Sequence, residues 1–293
     1  MKREQFKMFV EQNPHLVSMK RVEDGLYILK YKKKVFFDNL WNEFLEECRG
    51  TIVNSDFFVI SRPFTKIYNY GIEANAPIID DNFLVNAYRK INGFMVAVTW
   101  DRDRLLISTT GSTDSDYVTM AKELIDEERF INVCKSWYGV TFMFECVHKN
   151  DPHIIPEQEG MYLLGYRAKD WSTKVNPNPK ILKQLEEEFG TIPVEHYRVT
   201  MAEVKKMAKE CKHEGFVFYT DLGEAAKIKS PYYLIKKFVA RNPRTDKLMR
   251  KDIKNSIDEE YYPLIDHIQA NIEEYTAMDE QQRLSWVRSF LEK

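Results

Sequence analysis

Lys90 carries the group in this chain best placed for covalent chemistry. It stands in Lys90-Ile91-Asn92-Gly93-Phe94, after the apolar, β-prone run Val85-Asn86-Ala87-Tyr88-Arg89. The strand-like Met95-Val96-Ala97-Val98-Thr99-Trp100 leads out. A lysine at the mouth of a Lys-x-x-Gly turn can be held against a phosphate. A lone instance describes no more than a solvated lysine beside a hairpin turn. The order of residues downstream changes its meaning. Phe144-Glu145 closes a strand at Thr141-Phe142-Met143, Glu214-Gly215-Phe216-Val217-Phe218 follows, and then Lys227-Ile228-Lys229. A lysine, two glutamates and a lysine pair in this order are the groups that a nucleotidyl-transfer site needs. Lys227 and Lys229, at i and i+2 of a strand, point to one face.

The elements that must position these groups read as follows. Residues 4–12 form a short helix ended by Asn13-Pro14. Residues 26–31 and Val35-Phe36-Phe37 read as strands flanking the basic turn Lys32-Lys33-Lys34. That turn reads as a solvated hairpin tip, with contact to RNA phosphates as the sharper alternative. Asp38 caps a helix with Leu40, Trp41, Phe44 and Leu45 at its apolar positions, and Gly50 stops it. Strands at 51–53 and 57–60 follow across Asn54-Ser55-Asp56. The segment Ser61-Arg62-Pro63-Phe64-Thr65-Lys66-Ile67-Tyr68-Asn69-Tyr70 is irregular and dense in cations and aromatics. It suits polyphosphate binding and equally a surface loop whose aromatics fold back on the core.

Further on, residues 105–112 read as a strand running into a small-residue loop, and 116–128 as an amphipathic helix. Residues 141–147 read as a buried strand, the run from His148 to His153 as a loop, and 161–167 as another strand. Helices are expected at 177–189 and 201–211, and a hairpin of strands 215–219 and 225–229 turns at Asp221-Leu222-Gly223. After Ser230-Pro231-Tyr232-Tyr233 no strand signal remains, and 261–275 and 281–291 have helical spacing with dense charge. The expected organisation is a domain over 1–233 and a small helical one over 234–293, with the boundary near 231–243.

Composition narrows the classes. The 293 residues allow one large domain, or a large one with a small one. The 43 Lys+Arg nearly balance 45 Asp+Glu, so any basic, nucleic-acid-binding surface must be local. Cys48, Cys134, Cys146 and Cys211 form no Cys-x-x-Cys pair, which fits reduced thiols in a cytoplasm. The first residues lack the apolar core of a signal peptide, and no apolar run is long enough to span a membrane. His148, His153 and His213 have no zinc-motif spacing and read as ordinary loop histidines.

These residues resemble the covalent nucleotidyltransferase superfamily of ATP-dependent polynucleotide ligases and capping enzymes. Within it, they are most similar to the bacteriophage RNA ligases of the tRNA-repair type, the RNA ligase 1 group. Lys90-Ile91-Asn92-Gly93 matches the nucleophile motif, Phe144-Glu145 the third, Glu214-Gly215-Phe216-Val217 the fourth and Lys227-Ile228-Lys229 the fifth. Glu47-Cys48-Arg49-Gly50 and Ser61-Arg62-Pro63-Phe64-Thr65-Lys66 resemble upstream elements of the phage enzymes. The resemblance spans residues 25–233. Asn92 stands where relatives often carry an acidic residue, and Ser108-Thr109-Thr110-Gly111-Ser112 where they usually have a basic residue before Gly-Ser.

The resemblance implies an α+β fold: a nucleotidyltransferase (ATP-grasp-like ligase) core of antiparallel and mixed sheets with flanking helices, plus the small all-helical C-terminal domain. It implies ATP-dependent joining of RNA 3′-hydroxyl and 5′-phosphate ends through a lysyl-N-AMP and an RNA-adenylate. Lys90 is then the nucleophile, made reactive by neighbouring cations. Lys227 and Lys229 bind the triphosphate and stabilise charge on phosphorus. Arg49 and Lys66 hold the β- and γ-phosphates, with Tyr68 lining the same region. Gly93 lets the backbone approach the nucleotide. Glu145 contacts the ribose or positions the nucleotide, and Glu214 binds Mg2+ (or Mn2+) directly or through water. Tyr166 is a candidate for stacking on adenine. The implied partners are RNA ends, such as nicked tRNA, and an end-healing kinase-phosphatase, in the host cytoplasm if the chain is phage-encoded.

Three alternatives stay open. A capping guanylyltransferase uses the same lysine with GTP. A DNA ligase is disfavoured because no oligonucleotide-binding barrel follows Lys229. The altered Thr110 region leaves room for a non-catalytic, nucleotidyltransferase-like RNA-binding protein.

Overall fold

In the computed structural model, three β-sheets with flanking helices form an α+β fold. The structure describes residues 3–151, 153–171, 175, 178–241, 248, 250, 252–255 and 257–291. Pro152 of the expected loop, Pro177 at an expected helix start and residues 242–243 of the expected boundary lie outside the described residues. The chain divides into two compact units that do not follow sequence order. The first holds residues 1–67, 91–197 and 219–225, the second 68–90, 198–218 and 226–293. Residues 234–293 therefore group with upstream segments that carry strands, rather than by themselves.

The first unit begins with α1 (Arg3–Gln12), β1 (Val17–Glu23), β2 (Leu26–Tyr31), α2 (Lys33–Phe37), α3 (Glu43–Glu47), β3 (Arg49–Asn54) and β4 (Val59–Ser61). Its first sheet runs β1-β2-β3-β4, antiparallel throughout. Phe6 and Val10 of α1 join Leu29, Val35, Leu45 and Val53 in one apolar cluster. Three expectations are corrected here. Val35-Phe36-Phe37 is the body of α2, not a strand, and Lys33 and Lys34 open that helix instead of a hairpin tip. The fully buried Val35 has its place in the cluster as a helical residue, so packing overrides the β propensity of a Val-Phe-Phe run. Asp38 ends α2; the cap of the next helix is Asn42, whose side chain accepts hydrogen bonds from the Phe44 and Leu45 amides at 3.0 and 2.9 Å. Gly50 is no helix stop: it lies in β3 at φ 95°, where a Cβ would come within 2.9 Å of Thr110 Cα.

β5 (Tyr68–Asn69) and β6 (Leu84–Arg89) belong to the second unit. The first unit resumes with β7 (Phe94–Asp101), β8 (Arg104–Ser108), α4 (Asp116–Glu123), α5 (Glu127–Ser136), β9 (Val140–Val147), β10 (Gly160–Ala168) and α6 (Pro179–Phe189). The second sheet runs β10-β9-β7-β8. The single helix expected over 116–128 is two, because Asp126 caps α5 by accepting from the Arg129 amide at 3.2 Å. Phe130 of α5 and Phe189 of α6 meet 4.6 Å apart and pack on Phe144 of β9 at 5.2 Å each. Phe142 lies on the same side of β9, 4.9 Å from Phe189. Alternation along the strand then places Glu145 on the face opposite this aromatic layer.

The second unit is built on the sheet β11-β6-β12-β13-β5, with β11 (His196–Thr200), β12 (Gly215–Tyr219) and β13 (Ala225–Lys229). The pairing of β13 with β5 is parallel, which makes the sheet mixed. Between β11 and β12 runs α7 (Met201–Glu210), started by a capping box of Thr200 and Glu203. After α8 (Pro231–Arg241), helices Tyr262–Ala270, Ile272–Ala277 and Glu280–Leu291 follow, so the helix expected over 261–275 is interrupted at Asn271. Among the described residues beyond 230 there is no strand. No helix among the described residues is long and apolar enough to cross a membrane.

Candidate active site

The second unit gathers Lys90, Glu214 and Lys229 at one end of its sheet. β6, β12 and β13 are neighbours in the sheet, and backbone bonds set their ends in register. The Lys90 amide donates to Gly215 O at 2.8 Å, and the Ser230 amide donates to Glu214 O at 2.9 Å. Gly215 makes the approach possible. Its φ is 132°, and a Cβ there would lie 2.1 Å from Ile228 O. Lys90 thus meets two residues more than a hundred positions downstream, Glu214 and Lys229, where one glycine lets two strands close up.

Glu214 joins the two lysines. Its Oε2 is 3.0 Å from Lys90 Nζ, and its Oε1 is 3.9 Å from Lys229 Nζ. Glu214 itself is 3 % exposed, whereas the Lys90 side chain keeps 22 % of its surface. A carboxylate stands against Lys90 Nζ, with Lys229 on the carboxylate's far oxygen. Lys227 shares the strand face of Lys229. Its carbonyl accepts from the Tyr70 amide at 2.8 Å, which ties β13 to the residues after β5. Tyr68 pairs in register with Ala226 and is 5 % exposed.

Lys229 has a second carboxylate partner that sequence reasoning missed. Its Nζ forms an ion pair with Glu260, and Glu260 Oε1 is also 3.1 Å from Lys237 Nζ of α8. Lys237 Nζ continues to Asp258 at 2.8 Å. Burial by itself would lower the Lys229 pKa, but Glu260 and Glu214 outweigh it and raise it. Burial would raise Glu260, yet Lys229 and Lys237 hold its carboxyl down at about 2. No local signal marked Glu260 as a partner of Lys229, since it lies 31 residues downstream.

The first unit holds the other candidates. Glu145 Oε1 accepts from the Gly93 amide at 3.1 Å, so two of the sequence-predicted site residues are in contact. Gly93 has a structural reason of its own: a Cβ would stand 2.3 Å from Cys146 O of β9. Asn92 is 5 % exposed and accepts from the Ile155 amide at 3.0 Å, anchoring the loop beyond β9. Arg49 opens β3, half-buried. Lys66 is 7 % exposed, with its Nζ over the rings of Phe36 and Trp41 at 5.1 and 5.2 Å. Tyr166 lies edge-on to Trp137 of α5, 5.6 Å between centroids.

The two upstream motifs are joined to each other through a buried carboxylate. Glu47 Oε1 is 2.7 Å from both Arg62 Nη2 and Arg167 Nη2, and its Oε2 is 2.9 Å from Arg167 Nη1. All three side chains are almost wholly buried. Burial pulls the Arg167 pKa below its ordinary value although Glu47 works against it. Glu47 and Arg62 therefore cross-link α3, the segment after β4 and β10. The histidines behave as loop residues: His148 Nε2 is 3.0 Å from Glu123, His153 is paired with Asp151, and His213 Nδ1 accepts from the Gly215 amide at 3.2 Å. Among the described residues no three His, Cys, Asp or Glu side chains gather to hold a metal ion. Glu214, a single carboxylate, fits a magnesium ion only as one that shares phosphate oxygens with a nucleotide.

No protein-family model matches the chain, and no curated protein matches it. Solved structures do. An archaeal ATP-dependent RNA ligase in form 2 superposes with TM-score 0.61 at 16 % identity, covering 99 % of this chain and 74 % of that one. Form 1 gives 0.61 at 16 %, with 98 % and 77 % covered. A candidate ATP-dependent DNA ligase from Aquifex aeolicus gives 0.60 at 15 %, with 98 % and 77 % covered. The chain thus has the nucleotidyltransferase fold of ATP-dependent ligases, helical C-terminal segment included.

Proposed function

We propose that this protein is an ATP-dependent RNA ligase that joins RNA 3′-hydroxyl and 5′-phosphate ends through a lysyl-N-AMP on Lys90. The observation that carries the reading is the cluster of Lys90, Glu214 and Lys229 at one end of a sheet, at the places of the nucleophile, fourth and fifth motifs. The ligase fold supports it.

In the first step Lys90 Nζ, having passed its proton to the Glu214 carboxylate or to solvent, attacks the α-phosphorus of ATP. A P–N bond forms and the bond to pyrophosphate breaks. Glu214 orients Lys90, and Lys229 and Lys227 offer positive charge to phosphate oxygens that gain charge in the transition state. Arg49 and Lys66 are assigned to the β- and γ-phosphates, with Tyr68 beside them, and Glu145 with Gly93 to the nucleoside. When bound, Mg2+ or Mn2+ neutralises the triphosphate, and Glu214 is the residue that would hold it. The 5′-phosphate of RNA then takes AMP from Lys90, and an RNA 3′-hydroxyl displaces AMP to seal the strand. We assign this chemistry to residues 1–233, with 234–293 as a helical appendage. A broken tRNA in the host cytoplasm, its ends prepared by a kinase-phosphatase, is the substrate this reading favours.

Mass spectrometry of the protein incubated with ATP and Mg2+, then with GTP, tests it. A single AMP adduct on Lys90, followed by sealing of a 5′-phosphorylated RNA, is expected. A GMP adduct would make the protein a capping-type guanylyltransferase. Sealing of DNA alone would make it a DNA ligase. No adduct with either nucleotide would leave an RNA-binding protein without catalysis.

A further inference from the structure

An ion-pair chain of alternating charge runs from the nucleophile motif into the C-terminal helical segment: Lys90, Glu214, Lys229, Glu260, Lys237, Asp258. Its members are all buried or half-buried, and Glu260, with 2 % of its side chain exposed, is the deepest. Buried ion pairs are an inefficient way to fasten one element to another, because desolvation offsets most of the attraction. The neighbourhood of Glu260 is already fastened without it. Tyr261 donates to Leu234 O at 2.6 Å and packs on Phe238 at 5.4 Å, and Leu264, Ile265 and Ile268 are fully buried. Besides its pair with Lys237, what Glu260 adds is a hold on Lys229. A long, flexible lysine held by one distant carboxylate at 3.9 Å would sample many rotamers. With Glu260 on one side, Glu214 on the other and the Tyr233 ring 5.5 Å away, its ammonium has one place to be.

We propose that Glu260 is a positioning residue for nucleotidyl transfer: it holds the Lys229 ammonium beside Glu214, so that the C-terminal segment completes the arrangement around Lys90. The proposal rests on the reading of Lys229 given under Proposed function. Its consequence is that the helical segment acts in the first, nucleotide-only step, before any RNA is present. Glu260 touches neither Lys90 nor a reacting atom; it acts through Lys229.

The test is single-turnover formation of the AMP adduct by full-length protein, with rate constant, burst amplitude and ATP half-saturation measured separately. Glu260→Gln is expected to lower the rate constant by about tenfold to a hundredfold, the cost of misplacing a group by about an ångström. Half-saturation should move far less, since an interaction made only in the transition state is lost. Glu260→Asp, which keeps the charge, should recover part of the rate. Asp258→Asn, at the far end of the chain, should leave the rate constant as in the parent. A merely structural role would instead lower the burst amplitude, the fraction of competent molecules, and leave the rate constant unchanged. That result, or a Glu260→Gln rate equal to the parent's, overturns the proposal while the AMP adduct of the parent upholds the ligase reading. If circular dichroism shows that Glu260→Gln does not fold, Glu260→Asp carries the comparison: a lowered rate constant at full amplitude supports the proposal, and an unchanged one overturns it. No adduct in the parent overturns the ligase reading and this proposal with it.

Discussion

Lys90 Nζ lies 3.0 Å from Glu214 Oε2, and the other oxygen of the same carboxylate faces Lys229. One carboxylate thus sets the spacing of the two lysines that the proposed chemistry needs most. Glu214→Gln keeps the shape and removes the charge. We expect its rate of AMP transfer to fall by about a hundredfold, in the range for a positioned acid–base or charge-orienting group. Lys90→Ala should form no adduct at all. Labelled AMP retained on denatured protein measures both, and a Lys90→Ala protein that still took up AMP would remove Lys90 as the nucleophile.

Glu47 lies between Arg62 and Arg167, with its carboxylate shared by both guanidinium groups. Glu47→Gln would remove the carboxylate charge that two buried guanidinium groups share. The expected loss is about 3–5 kcal/mol, because a buried charge stripped of its partner keeps its desolvation cost. In a chain of this size that lowers Tm by roughly 10 °C. Thermal unfolding of the variant against the parent reads it; a shift below a degree or two would mean that the triad contributes little.

Gly93 and Gly215 each stand where a Cβ would enter a neighbouring strand's backbone, 2.3 Å from Cys146 O and 2.1 Å from Ile228 O. Backbone cannot yield as a side chain can. Gly93→Ala and Gly215→Ala should each cost about 1–3 kcal/mol or more. Gly215→Ala carries the larger loss, since its φ of 132° also excludes alanine. Urea unfolding gives the ranking, and equal stability of the two variants would contradict it.

Lys229 and Lys237 hold the Glu260 carboxyl at about 2 in the folded chain, below its ordinary value of 4.5. A carboxyl whose folded pKa is depressed stabilises the fold fully above the unfolded value, and the contribution is lost as pH falls through the folded one. The window is therefore pH 4.5 down to 2, and the amount at stake is of the order of 3 kcal/mol. Unfolding free energies followed from neutral pH into acid should fall less steeply in that window for Glu260→Gln than for the parent. Parallel curves would remove Glu260 from the acid response.

Chelation of divalent cations should abolish the AMP adduct, and either Mg2+ or Mn2+ should restore it. The described residues offer Glu214 and no ligand cluster, so the ion is expected to arrive with the triphosphate. Thermal stability of the nucleotide-free protein should then be indifferent to the chelator. A marked drop in Tm would point to a resident structural metal.

Local pattern was sufficient for much of this molecule. The bounds of β12 and β13, the turn between them and the helical character of the chain beyond 230 were legible because two-residue and helical periodicities act over a few positions. So was the order Lys90, Glu145, Glu214, Lys227, Lys229, which spacing alone displays. α2 was not legible, since Val35-Phe36-Phe37 favours a strand until packing decides otherwise. β1 and β11 also escaped: their burial patterns show mostly exposed or half-exposed residues, and pairing rather than composition makes them strands.

The sequence by itself determined which chemical groups exist, their order and the α+β character of the chain. Only the tertiary structure decided their partners: Glu214 between Lys90 and Lys229, Glu260 behind Lys229, and Glu47 between two arginines. The physical reason is that charge pairing carries no sequence period. Any carboxylate can satisfy any cation, and the choice falls to whichever strand end, cap or close backbone approach brings the two out of water together.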